Sequence, residues 1–79
     1  MREEMTITGD LRHGDVAEWA SHRAARLSLH GHILQASDSA VTIAVSGPEV
    51  LLDAMALACS LGPAQALIDR VDRRSLDNA

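Results

Sequence analysis

Aromatic residues are almost missing from this chain: Trp19 stands alone, with no Phe and no Tyr among 79 residues. A hydrophobic core must therefore be assembled from Leu, Ile, Val, Met and Ala. The same shortage removes a function class. Sheets that read single-stranded RNA stack bases on exposed rings, and this sequence has no rings to spare for a sheet. Positive charge is short too: seven Lys and Arg stand against eleven Asp and Glu, a net charge of −4. Nucleic-acid binding wants a basic surface, so the balance argues against it. Cysteine is limited to Cys59, which leaves no internal disulfide and fits a reducing, cytoplasmic setting. Long apolar runs are lacking. None reaches the ~20 residues of a bilayer span. Met1-Arg-Glu-Glu has no apolar stretch behind it, so neither membrane contact nor a targeting segment is expected.

Seventy-nine residues make one small domain. A chain this short buries about 60% of the surface exposed when it is unfolded, so marginal stability is expected. Met5-Thr-Ile-Thr-Gly-Asp-Leu11 alternates, with Met5, Ile7 and Leu11 on one side, as in a strand. Asp15 and Glu18 then precede an apolar-periodic run in the spacing of a capped helix start. Val16, Ala20, Ala24 and Leu27 form that helix's core-facing stripe, with Trp19 at its flank. Leu29, Gly31 and Ile33 alternate as a second strand, and Ser37-Asp-Ser39 is turn chemistry. Val41, Ile43 and Val45 give a third strand with β-branched residues on one face. Gly47-Pro48 opens a second helix and Gly62-Pro63 closes it. Ala66 to Val71 reads as a weaker last strand.

Strand, helix, strand, strand, helix, strand is the order of a ferredoxin-like α+β sandwich. In that βαββαβ arrangement an antiparallel sheet carries both helices on one face. The domain is expected over residues 5–72, with a short N-terminal tail at 1–4 and a frayed polar tail at 73–79.

The second helix is apolar on two sides. Leu52, Met55, Ala56 and Cys59 make one stripe, and Val50, Ala54, Leu57 and Leu61 make another opposite it. Only Glu49, Asp53 and Ser60 form a polar strip between them. One side of each helix in a two-layer sandwich meets water, so the outer stripe predicts a partner surface or a two-fold homodimer. The alternative is that the first helix or the C-terminal tail covers it. Cys59 falls on the inward stripe with no base beside it, so it reads as a structural thiol. His30 and His32 stand at i, i+2 on the second strand and share a face. With Asp10 or Asp69 nearby they could ligate zinc, although solvated strand histidines are the commoner case. No cofactor is expected.

One stretch carries a family resemblance. Residues 9–35 read Gly9-Asp-Leu-Arg-His-Gly-Asp-Val-Ala-Glu-Trp-Ala-Ser-His-Arg-Ala-Ala-Arg-Leu-Ser-Leu-His-Gly31-His-Ile-Leu-Gln35. This resembles the acylphosphatase pattern G-x-V-Q-G-V-G-F-R-x-[FWY], then A-x-x-L-x-L-x-G-W-V-x-N. Gly9, Leu11, Trp19, Ala24, Leu27, Leu29, Gly31 and Ile33 fall on that frame without a gap. The second helix and its flanks fit as well, from Gly47-Pro48-Glu49 through Gly62-Pro63 to Val71, so the resemblance covers roughly residues 5–72.

The resemblance implies a loop that cradles a phosphoryl group on backbone N–H groups at the first helix. It implies a loop arginine that neutralises the phosphate and an asparagine that positions water, without metal or covalent intermediate. Here the loop is Arg12-His13-Gly14-Asp15-Val16-Ala17. Ala17 occupies the arginine position and Gln35 the asparagine position. Losing an arginine clamp costs on the order of three to five decades in rate. The extra methylene of a glutamine moves a water by about 1 Å, a misplacement worth ~10²-fold. Asp15 adds a carboxylate where an anion would sit. His13 and Asp15 also replace two loop glycines of the pattern.

Three readings follow. In the first, an acylphosphatase-like domain has lost hydrolysis and is kept for binding, regulation or assembly. In the second, an active acylphosphatase uses Arg12, with help from His13, and Gln35 on a phosphate or acylphosphate ligand. Arg23 lies too far along the helix to join them. In the third, a dimeric ferredoxin-like module binds a small ligand or metal on the open sheet face.

Overall fold

The computed structural model describes residues 1–77. Six elements follow one another: β1 (Arg2–Asp10), α1 (Val16–Arg26), β2 (His30–Ala36), β3 (Ala40–Ser46), α2 (Glu49–Leu61) and β4 (Leu67–Ser75). The strands form one antiparallel sheet in the order β2-β3-β1-β4. Both helices pack on one face, α1 against β2 and β3 and α2 against β4 and β1. This is the ferredoxin-like βαββαβ sandwich.

Alternation in the strands decides which side chains meet the helices. Met5 and Ile7 of β1 and Val41, Ile43 and Val45 of β3 are buried. They join Val16, Ala20 and Ala24 of α1 and Leu52, Met55 and Cys59 of α2 in one core. Trp19 packs at the edge of that core, half-buried, with the Arg23 guanidinium 5.6 Å from its ring centroid. Gly31 allows α1 to lie close on β2. A Cβ there would stand 3.1 Å from the Ala24 methyl and 3.2 Å from Val45.

The sheet is longer at one end than the sequence suggests. β1 starts at Arg2 and β4 runs to Ser75, so residues 2–4 and 73–75 are paired strand rather than tails. Charge pairing explains the extension. Glu3 is buried against the core edge and accepts Arg73 Nε and Nη2 at 2.8 and 2.9 Å, while Arg73 Nη2 also reaches Asp53 on α2 at 2.9 Å. The segment is polar, yet Arg73 and Arg74 have partners seventy residues away in the chain, Glu3 and Glu4.

Candidate functional site

The loop after β1 leaves the sheet through a bulge between Thr8 and Gly9. At Gly9 a Cβ would collide with the Leu67 carbonyl oxygen, so β4 crowds the strand end and only glycine fits. Leu11 N–H then donates to the Asp38 carbonyl at 2.8 Å, tying the loop to the β2–β3 turn. Gly14 at φ 91° and Asp15 at φ 44°, ψ 66° turn the chain into α1 in left-handed conformation. Asp15 is the helix N-cap, and its carboxylate accepts the Glu18 N–H at 3.3 Å. Glu18 does not return the bond to Asp15. Its carboxylate lies 3.9 Å from His22 instead.

This loop, the start of α1 and the β2–β3 turn enclose a groove of about 390 Å³. Its lining includes Arg12, Asp15, Val16, Ala17, Ala36 and Asp38. Among the described residues, no backbone N–H of residues 13–17 donates to a protein acceptor. Five successive free donors at a helix N-terminus form a cradle suited to an anion.

The side chains around that cradle carry a methyl group, a carboxylate and a paired arginine. Ala17 offers a methyl group. The Asp15 carboxylate sits on the positive end of α1 and occupies by sign the place of a bound anion. Arg12 borders the groove, but its guanidinium is committed. Nε and Nη2 bond the two Asp10 carboxylate oxygens at 2.9 and 2.8 Å. These bonds hold the Asp10 carboxyl down at about 2 and raise the Arg12 pKa.

Gln35 is not brought to the groove. In a regular strand it would share a face with Ile33. A bulge lies between Ile33 and Gln35, so Gln35 pairs with Thr42 while Ile33 pairs with Ile43. Thr42 bonds Thr6 on the outer face of the sheet at 3.1 Å, and Gln35 goes with it. Ala36, the next residue, lines the groove in its stead. Arg23 belongs to the far half of α1, over Trp19.

His30 and His32 share the outer face of β2, beside Arg2, Ala44 and Ser46. The carboxylates expected to join them are elsewhere. Asp69 is on β4, the opposite sheet edge. Asp10 is at the far end of β1, held by Arg12. Among the described residues no three His, Cys, Asp or Glu side chains cluster as a metal site would require.

Val50, Leu57 and Leu61 on α2 are 71%, 67% and 74% exposed, with Ala54 between them half-buried. Neither α1 nor the described part of the C-terminal segment covers this stripe. Cys59 lies fully buried on the opposite side of the helix, and burial pushes its thiol up to about 11. No helix among the described residues is long and apolar enough to cross a membrane.

Two features had little or no signal in the sequence. The bulge at Leu34 leaves no mark in the alternation. The Asp10–Arg12 pair does have one: residues two apart at a strand end project to the same side, so an Asp-x-Arg spacing is a candidate ion pair.

Solved structures place this fold. The acylphosphatase from Bacillus subtilis superposes with a TM-score of 0.84 at 18% identity, over 98% of this chain and 87% of that one. An acylphosphatase from Coxiella burnetii gives 0.84 at 20% identity, over 92% and 77%. Full-length HypF in its phosphate- and nucleotide-bound form gives 0.82 at 19% identity, over 98% of this chain and 10% of that one. The fold is therefore acylphosphatase-like. No family model matches the sequence, and no curated protein matches it significantly.

Proposed function

We propose that this chain is an acylphosphatase-fold domain that does not hydrolyse acyl phosphates and acts as a binding or assembly module. One observation carries the reading: the cradle has no cation free to meet a phosphoryl group. Its loop position holds Ala17, and the only arginine lining the groove among the described residues is clamped by Asp10. Phosphoryl transfer on this kind of site depends on fixed positive charge at the transferring group. The outward turn of Gln35 supports the same conclusion, because it leaves no amide to hold the water. The lone buried thiol supports a reducing, cytoplasmic setting.

Hydrolysis of benzoyl phosphate tests this. No turnover above the uncatalysed rate is expected for the natural chain, with partial recovery in Ala17→Arg/Ala36→Asn, since Ala36 is the strand residue that lines the groove. Turnover that Arg12→Ala abolishes would establish a working site and end the proposal.

The exposed α2 stripe favours an assembly role, with a second copy of this chain as partner. Val50, Ala54, Leu57 and Leu61 are spaced four, three and four apart, the seam of a helix pair. Antiparallel pairing about a two-fold axis between Ala54 and Leu57 sets Val50 opposite Leu61 and Ala54 opposite Leu57. Smaller residues then face larger ones at every level, as an isologous contact requires. Light scattering is expected to give a dimer that Leu57→Glu converts to a monomer. A monomer at high micromolar concentration, unchanged by that substitution, rules the dimer out.

A further inference from the structure

We infer that the outer face of the sheet holds a second site, a trough for a small carboxylate, which is separate from the cradle and from the α2 stripe. Register builds it. His30, Ser46 and Arg2 are consecutive cross-strand partners on β2, β3 and β1, and His32 and Ala44 form the next row. Leu76 follows β4 beside Arg2, with its N–H on the Arg2 carbonyl at 2.9 Å. Ala44 and Ser46 are small, so the sheet sinks between the two histidines on one side and Arg2 with Leu76 on the other. The result is a cavity of about 180 Å³ lined by Arg2, His30, His32, Ala44, Ser46 and Leu76, with Val45 beneath.

The chemistry of the lining selects the ligand. Among the described residues, His30, His32 and the Ser46 hydroxyl have no side-chain hydrogen bond or ion pair. Arg2 is held by Asp77 on one side of its guanidinium only. Its backbone N–H donates to Asp77 Oδ2 at 3.0 Å and its Nε forms an ion pair with Asp77 Oδ1 at 3.7 Å, while among the described residues its two Nη groups have no hydrogen-bond partner. A forked guanidinium, two imidazoles and a hydroxyl border one cavity, and each can donate to an anionic group there. Ala44 and Leu76 add apolar wall, which suits a short hydrocarbon chain behind the carboxylate. A metal ion is the weaker occupant, because two histidines lack a third ligand here and Arg2 repels a cation.

The charged groups facing the histidine pair are few. β1 brings Arg2 and Glu4, whose carboxylate is taken by Arg74 of β4 at 3.1 Å, and Asp77 stands behind Arg2. The facing β3 positions, Ala44 and Ser46, carry no charge.

Proton NMR of the full chain, titrated with butyrate, tests this through its four histidines. His13 and His22 lie outside the trough and serve as controls. Saturable shifts of His30 and His32 alone are expected. Arg2→Ala, an exposed substitution, should weaken binding about tenfold by removing the fork, and Arg2→Lys should recover part of it. Inorganic phosphate drawn to the cradle would move His13 instead, so failure of the cradle reading and failure of this one look different. Four histidines shifting together, butyrate binding untouched by Arg2→Ala, or saturation by Zn²⁺ with none by butyrate would each overturn the proposal.

Discussion

At the scale of single residues, the properties that matter come from what each side chain is tied to. Arg12 sits in the right loop to meet an anion, and a strand-end carboxylate two residues earlier holds it away. Removing that carboxylate should release it. Asp10→Asn is expected to increase phosphate binding severalfold, read by the fluorescence of Trp19, the only aromatic residue. Unchanged binding would mean that the Asp15 carboxylate alone keeps anions out. Cys59 gives a second case. Burial raises its pKa from 9.0 to about 11. A raised folded-state pKa means that the stabilisation is complete below pH 9 and is lost as pH climbs to 11. Roughly 2–3 kcal/mol should disappear over that window. Urea midpoints measured from pH 8 to 11 check this, and Cys59→Ala should flatten that part of the profile. The identity of Cys59 was legible from its place on an apolar stripe. The commitment of Arg12 was not, because a spacing cannot say which of several neighbours a flexible cation prefers.

At the scale of elements, periodicity carried most of the information. Both helices and all four strands could be placed from alternation, caps and glycine–proline breaks, since each depends on neighbours in the chain. Strand ends could not, because pairing reaches across the chain. Residues 73–75 look like a solvated tail until Glu3 and Asp53 are set beside Arg73. Arg73→Met should therefore cost about 1–3 kcal/mol, as it leaves the Glu3 carboxylate nearly buried without a donor. Asp53→Ala, on the exposed side of the same network, should cost under about 0.5 kcal/mol. Thermal unfolding separates the two, and equal losses would contradict the assignment of Glu3 as the dependent partner. The bulge in β2 decides which strand residue lines the groove. One extra residue moves Gln35 to the outer face and replaces it at the groove with Ala36.

At the scale of the whole molecule, a chain of 79 residues has little stability to spare. Placing three large aliphatics on the solvent side of α2 is costly for solubility, and a second copy that covers them would add stability by mass action. Melting temperature is then expected to rise with protein concentration, and Leu57→Glu should remove that dependence while leaving the dilute-limit value nearly unchanged. A concentration-independent transition in the natural chain would count against self-association. The amino-acid order by itself determined the element sequence, the inward faces and the double-sided character of α2, because all three are set by residue type and short-range spacing. Only the tertiary structure decided that Arg12 is clamped, that Gln35 faces away, that β4 continues to Ser75 and that His30, His32 and Arg2 line one trough. Each of these depends on strand register and on charges distant in the chain, which local periodicity does not encode.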